Sequence, residues 1–232
     1  AQSEFRGPGP LPPPTTHRIL PMGGRVGERA GAGPKMPFRA FFKQTLSANR
    51  TDDTAMTRYC AFFESLTVRG DRLSMADLRY AFEREELENA ETVISSGNVL
   101  FEYEERPSEG LEDLLAYLMR DRFDLKAFVA VRTRAEIRAA VEENPFAGES
   151  GDSFVHTLLL SGQPAQAQFE RLQADHGTLG GERLALGTRC LFIDYARPPA
   201  ESLLTMEFVG NRLGCRATAR NVRSLARIDA KM

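Results

Sequence analysis

From residue 56 onward, apolar positions alternate between strand-like runs and helix-like spacing. Tyr59 to Phe63 form a short, almost continuous apolar run, which is typical of a buried strand. After Ser74, a good N-cap, apolar residues recur every three or four positions and predict a helix over 75–86. The same reasoning predicts strands at 58–63, 92–95, 98–103 and 127–131, with a second helix beginning at Pro107-Ser108.

The second part of the folded region repeats this order of elements. A connecting helix is predicted over 133–143, where Thr133 and Glu136 form a capping box. The pattern then predicts strands at 154–160, 183–186, 190–195 and 216–219, and helices at 164–174, 202–213 and 221–229. Each half therefore has the order β-α-β-β-α-β, the split βαβ or ferredoxin-like unit.

The predicted fold class is α+β. We expect two ferredoxin-like βαββαβ units, in tandem or intertwined, with helices on one face of antiparallel-rich sheets. The predicted boundaries are a first subdomain with its linking helix over 56–145, and a second subdomain with its C-terminal helix over 146–232. A parallel, doubly wound sheet with helices on both faces would contradict this prediction.

The first 55 residues have a different composition. Residues 1–35 hold seven of the 13 prolines and seven of the 19 glycines. Such a segment buries too little apolar surface to offset the entropy of ordering it. We therefore predict that residues 1–55 are a disordered extension.

Overall composition excludes several classes of protein. The 30 basic residues nearly balance the 32 acidic ones, which argues against a globally basic nucleic-acid binder. No apolar window is long enough for a membrane span, so no membrane partner is expected. The three cysteines, Cys60, Cys190 and Cys215, are widely spaced and form no CxxC motif, which favours a reducing, cytoplasmic environment. With only three histidines and no paired ligands, neither a metal nor a cofactor is expected.

Recognisable catalytic motifs are also missing from the sequence. There is no GxSxG, P-loop or GxGxxG pattern. The best local candidate site is the turn Ser95-Ser96-Gly97-Asn98, which combines small hydrogen-bonding side chains with a flexible backbone. The favoured interpretation of this turn, however, is a plain hairpin or bulge that fixes strand register.

Several sequence blocks resemble one bacterial family, known as domain of unknown function 1697. The blocks are Met56 to Ala61, Met75 to Arg79, Ile94 to Phe101, Asn144-Pro145-Phe146 and Thr218 to Asn221. The resemblance covers about residues 56–228 and implies an α+β fold of ferredoxin-like character. It implies no established reaction, substrate or cofactor, and it suggests Met56 as the natural start.

The chain departs from the family pattern at three positions. Glu64 stands where the family usually has an arginine, and Arg69 replaces a glycine of the same loop. Leu203 replaces the lysine of a serine-lysine-leucine-threonine block. If the loop arginine and that lysine bind an anion in relatives, this chain has a changed or degenerate site.

Two blocks supply the candidate site residues: Ser95, Ser96, Asn98, Thr218, Arg220 and Asn221. Arg220 and Asn221 precede the last helix, whose opening presents N–H donors to an anion, and Arg220 adds a bidentate fork. The net charge of +5 over residues 211–232 also suits an anion or nucleic acid. The favoured interpretation of this charge, however, is an ordinary C-terminal helix whose basic residues suit the helix dipole.

The sequence favours a non-catalytic binding module for a small anionic ligand, a nucleotide or RNA. The alternative is an enzyme of unknown reaction that draws on the same two blocks. A further reading is that Arg220 and Asn221 only cap the helix and bridge to an acid such as Glu207.

Overall fold

The computed structural model describes residues 55–68, 70–94, 97–149, 151, 153–195 and 197–232. The predicted disordered extension over 1–55 therefore lies, apart from Ala55, outside the described residues. In the first half, the elements in chain order are β1 (Met56–Phe63), β2 (Thr67–Val68), β3 (Asp71–Arg72), α1 (Met75–Arg84), β4 (Glu88–Thr92), β5 (Asn98–Glu104), α2 (Ser108–Phe123), β6 (Val129–Thr133) and α3 (Arg134–Glu142).

The second half repeats the main elements of the first. Its elements are β7 (Val155–Leu160), α4 (Gln166–His176), β8 (Arg183–Gly187), β9 (Cys190–Asp194), a 3₁₀ turn (Pro199–Glu201), α5 (Met206–Leu213), β10 (Ala217–Asn221) and α6 (Val222–Asp229). None of the helices in the described part of the chain is long and apolar enough to cross a membrane.

Two four-stranded sheets organise the fold. Their strand orders are β4-β5-β1-β6 and β8-β9-β7-β10, and every neighbouring pair of strands is antiparallel. The strands therefore occupy equivalent places in the two sheets. The predicted α+β class with antiparallel sheets is confirmed, whereas the subdomain boundary near residue 145 stays a prediction.

Alternating burial along the central strands divides the core into layers. In β1, Tyr59, Ala61 and Phe63 face a cluster that includes α1 and α2, so both helices cover one face of the first sheet. Cys60 and Phe62 point the other way, into a middle cluster shared with the second sheet, α3 and α6. A third cluster lies between the outer face of the second sheet and helices α4 and α5.

Two elements start four residues away from their predicted starts. The strand predicted at 92–95 is instead β4, Glu88–Thr92, and Val93 and Ile94 belong to the turn before β5. Four of the five residues of β4 are exposed at the sheet edge, so no apolar run marks this strand. Helix α5 begins at Met206 rather than at 202, because the Thr205 hydroxyl accepts the Phe208 N–H at 3.1 Å and caps the helix.

The connecting helix α3 begins where the capping box predicts. The Glu136 N–H donates to Thr133 Oγ1 at 3.2 Å, and the Thr133 N–H donates to Glu136 Oε2 at 2.7 Å. These two bonds satisfy backbone donors that the first turn of a helix leaves without partners.

Candidate functional site

The structure brings Arg220 of β10 and Asn98 of β5 into direct contact. Arg220 Nε donates to Asn98 Oδ1 at 2.6 Å. Arg220 Nη2 donates to the carbonyl oxygens of Phe63 at 3.0 Å and Gly97 at 2.9 Å. The side chain of Arg220 therefore links the edge of the second sheet to the end of β1 and the β4–β5 turn of the first sheet.

The remaining N–H groups of Arg220 are bound within β10. Arg220 Nη1 donates to Thr218 Oγ1 at 2.9 Å and to the Ala219 carbonyl at 2.7 Å. Together with the three contacts to the first sheet, these bonds give each of the five guanidinium N–H groups an acceptor. Arg220 thus has a structural role, but its acceptors are neutral groups rather than the acid, such as Glu207, that one interpretation of the sequence predicted.

The other predicted site residues have different surroundings. Asn98 is buried, and its Nδ2 donates to the Val93 carbonyl at 3.1 Å, which closes the β4–β5 turn. Asn221 Oδ1 accepts the Ser224 N–H at 2.8 Å and acts as the N-cap of α6. Ser95 and Ser96 lie outside the described residues. The structure therefore brings together Asn98, Thr218 and Arg220, and it employs Asn221 as a cap.

The charge of Arg220 has no carboxylate partner among the residues that the structure describes. All five acceptors are neutral, and no described carboxylate lies within ion-pair distance of its guanidinium. Burial lowers the pKa of Arg220 to about 10. The ring of Phe62 lies 5.6 Å from the guanidinium carbon, which provides a cation–π contact but no negative charge.

Arg132 is the counterpart of Arg220 in the first half. Each is the fourth residue of the last strand of its sheet, opposite Cys60 in β1 and Thr157 in β7, respectively. Arg132 Nη2 donates to the carbonyl oxygens of Leu160 at 2.7 Å and Arg189 at 3.1 Å. Each half therefore donates one arginine to the end of the other half's first strand and to its hairpin turn.

The charge of Arg132, unlike that of Arg220, is balanced. Arg132 Nη1 donates to Glu112 Oε1 at 2.7 Å, and the same oxygen accepts Arg189 Nη2 at 2.8 Å and the Val131 N–H at 3.0 Å. All three charged residues are buried. Burial raises the pKa of Glu112, whereas the Val131 N–H and the two guanidiniums oppose this shift.

Sequence analysis missed this arginine–glutamate cluster. Arg132 lies in an otherwise apolar strand, and Glu112 and Arg189 are distant from it along the chain. One signal was available, because an arginine followed by a helix N-cap ends the last strand of both halves, as Arg132-Thr133 and Arg220-Asn221.

A cleft of about 660 Å³ lies beside the β10 edge of the second sheet. Its lining includes Met206, Glu207 and Gly210 from α5, Ala217 from the start of β10 with Arg216 just before it, and Glu64 from the loop after β1. This volume falls in the range of small-molecule pockets. None of the described lining residues has an aromatic side chain on which a nucleic-acid base would stack.

Arg216 is an exposed cation among the described residues that line this cleft. Its Nη2 donates to Glu64 Oε2 at 3.1 Å, and both side chains are at least half exposed. Such a surface ion pair contributes at most about 1 kcal/mol, so Arg216 can exchange Glu64 for another anion at low cost. Burial raises the pKa of the Cys215 thiol, which lines the same cleft.

The departures from the family pattern fall in different places. Glu64 lines the cleft and also accepts the Phe128 N–H at 3.2 Å through its Oε2. Leu203 is 65% exposed. Arg69 lies outside the described residues. Of the two departures that the structure describes, Glu64 lines the cleft and Leu203 does not.

Comparisons with known proteins identify the family. Residues 56–192 match the family described as a protein of unknown function (DUF1697), and the chain belongs to that family. The fold is similar to the structure of the conserved bacterial protein SP0830 from Streptococcus pneumoniae, with a TM-score of 0.56 and 22% sequence identity over 76% of this chain and 98% of that chain. No curated protein matches the chain.

Proposed function

We propose that this protein is a non-catalytic binding module for a small anionic ligand, which it holds in the cleft between α5 and the β10 edge. The observation that carries the proposal is the charge of Arg220. Arg220 follows the cleft-lining residues Arg216 and Ala217 along the chain but is not itself among the described lining residues. Its guanidinium is partly buried and has no described carboxylate partner, whereas its counterpart Arg132 is balanced by Glu112. An unbalanced buried charge costs free energy that a bound anion would recover.

Two features of the cleft support a small ligand. Arg216 presents an exposed guanidinium to the cleft, and its bond to Glu64 is weak enough to open. The described lining residues have no aromatic side chains, which favours a small anion over a single-stranded nucleic acid. Of the ligand classes suggested by the sequence, the small anion therefore fits the cleft best.

Thermal-shift and equilibrium-dialysis measurements with acetate, inorganic phosphate and adenosine monophosphate test the proposal. Each anion is compared with chloride at the same ionic strength, because screening alone changes stability. We expect at least one of them to raise the melting temperature and to bind saturably. The proposal is wrong if none does so beyond the chloride control.

The Arg216→Gln variant shows whether binding occurs at the cleft. Loss of one charge-assisted contact weakens affinity by about tenfold. Arg171→Gln is the matched control, since Arg171 is exposed on α4 and does not line the cleft. Equal weakening in both variants would show that net charge, and not this cleft, determines binding.

A further inference from the structure

The cleft corresponds to a site that is filled by protein side chains in the first half. Counted from their N-caps, Pro107 and Thr205, the helices α2 and α5 place Glu112 and Gly210 at the same fifth position. The core supports this alignment. Leu111 and Leu115 of α2 are fully buried, and so are Val209 and Leu213 at the equivalent positions of α5.

The space beside α2 in the first half is filled by Arg189, a residue of the second half. It extends from the β8–β9 turn, and its guanidinium binds Ser108 Oγ at 2.8 Å, Glu109 Oε1 at 2.9 Å and Glu112 Oε1 at 2.8 Å. The equivalent turn of the other hairpin carries Gly97. Gly97 and Arg189 correspond because the Gly97 carbonyl accepts from Arg220 Nη2 and the Arg189 carbonyl accepts from Arg132 Nη2.

The second half presents the same positions without these side chains. The residues of α5 equivalent to Ser108, Glu109 and Glu112 are Met206, Glu207 and Gly210, and all three line the cleft. Because Gly97 replaces Arg189 and Gly210 replaces Glu112, no side chain from either position fills this space. The cleft is therefore the counterpart of the Arg189 site.

The donors that bind Glu112 also have counterparts. Glu112 Oε1 accepts from the Val131 N–H and from Arg132 Nη1. The equivalent donors are the Ala219 N–H and Arg220 Nη1. The Ser161 N–H donates to the Arg216 carbonyl at 2.9 Å, so Arg216 and Ser161 form a hydrogen-bonded pair. Hydrogen-bonded and non-hydrogen-bonded pairs then alternate along β10. Ala219 then lies in a non-hydrogen-bonded pair with Leu158, so its N–H points away from β7, toward the outer edge.

We infer that the ligand of the cleft carries a carboxylate, one oxygen of which takes the place that Glu112 Oε1 has in the first half. This inference rests on the function proposed above and specifies the chemical class of the anion. The oxygen would accept from the Ala219 N–H and from Arg220 Nη1, which now donates to the neutral hydroxyl of Thr218 at 2.9 Å. Exchange of that hydroxyl for a carboxylate balances the charge of Arg220 in the way that Glu112 balances Arg132.

Substitution of Gly210 by glutamate tests the inference directly, since it restores the side chain of the first half. A Cβ at position 210 lies 3.0 Å from the Cys215 carbonyl, so any substitution there carries some strain. Gly210→Ala is the matched control, because it adds the same Cβ without a carboxylate. We expect Gly210→Glu to bind acetate at least about tenfold more weakly than Gly210→Ala, and to melt at a higher temperature.

A second measurement uses the wild-type chain and does not depend on the variants folding. Cys215 lines the cleft, so a ligand there slows its alkylation by iodoacetamide, which peptide mass spectrometry follows residue by residue. We expect acetate to protect Cys215 more strongly than inorganic phosphate does at the same ionic strength.

The outcomes separate this inference from the proposed function. If no anion binds the wild-type chain, the proposed function fails, and the inference fails with it. If phosphate binds and protects Cys215 as well as acetate does, or if both Gly210 variants bind acetate equally, the anion site stands but the carboxylate inference is overturned.

Discussion

Replacement of Glu112 by glutamine removes one negative charge from the buried arginine cluster and changes little else. The amide keeps an oxygen that can accept the Val131 N–H, which Glu112 Oε1 binds at 3.0 Å. Two guanidiniums lose their shared counter-charge, however. Arg132 is 2% exposed and Arg189 is 8% exposed, so water cannot replace the lost interaction at either residue.

The magnitude follows from these contacts. Removal of one partner of a buried ion pair typically costs 3–5 kcal/mol. Arg189 keeps Glu109 at 2.9 Å and Glu136 at 3.4 Å, whereas no second described carboxylate lies within ion-pair distance of Arg132. We therefore expect Glu112→Gln to lower the free energy of unfolding by about 3 kcal/mol. For a folded region of this size, that loss corresponds to a decrease of roughly 6–12 °C in melting temperature.

Urea denaturation followed by circular dichroism at neutral pH measures this loss. Glu109→Gln is the matched control, because Glu109 contacts the same Arg189 from the same helix but its side chain is 58% exposed. The control should cost less than about 1 kcal/mol. Equal losses in the two variants, or a loss below about 1 kcal/mol for Glu112→Gln, would refute the assignment of Glu112 as the counter-charge of a buried cluster.

Two further predictions concern the second half and the cysteines. Arg220→Met removes the hydrogen-bond donors to the carbonyl oxygens of Phe63 and Gly97. It should lower the free energy of unfolding by about 2 kcal/mol, because loss of a desolvated charge offsets part of the lost hydrogen bonding. Unchanged urea denaturation would contradict the linking role of Arg220. Iodoacetamide should modify Cys215 before Cys60 and Cys190 in the native protein. Cys60 and Cys190 are buried, and burial raises the pKa of Cys190 to about 12. Equal modification rates at all three cysteines, measured by peptide mass spectrometry, would contradict this order.

Arg220 shows how much of the candidate site could be predicted from the sequence. The two motif blocks indicated that Arg220 and the Asn98 turn belong together, and the structure places Arg220 Nε 2.6 Å from Asn98 Oδ1. The same bond shows why the assigned role was incomplete. The sequence could not reveal that all five guanidinium N–H groups have protein acceptors, because two of these acceptors are backbone carbonyls of the other sheet. A ligand-binding role for these residues stays a prediction.

The sequence by itself determined the elements whose signal is local. The apolar run of β1 predicts a buried strand, and the Thr133–Glu136 capping box predicts the start of α3. Both signals depend on residues only a few positions apart. The predicted bounds of β4 are wrong, because an exposed edge strand needs no apolar pattern and is held by its pairing with β5.

Only the tertiary structure decided which charges meet and where a cleft opens. Arg132 reaches the end of β7, and Arg220 reaches the end of β1, because the two sheets pack face to face with equivalent strands at their edges. The cleft opens beside Gly210 of α5, and Gly210 corresponds to Glu112 of α2 only after the two halves are compared in space. Hydrogen bonds and ion pairs act over a few ångströms, so residues distant along the chain acquire these roles only once the sheets have packed.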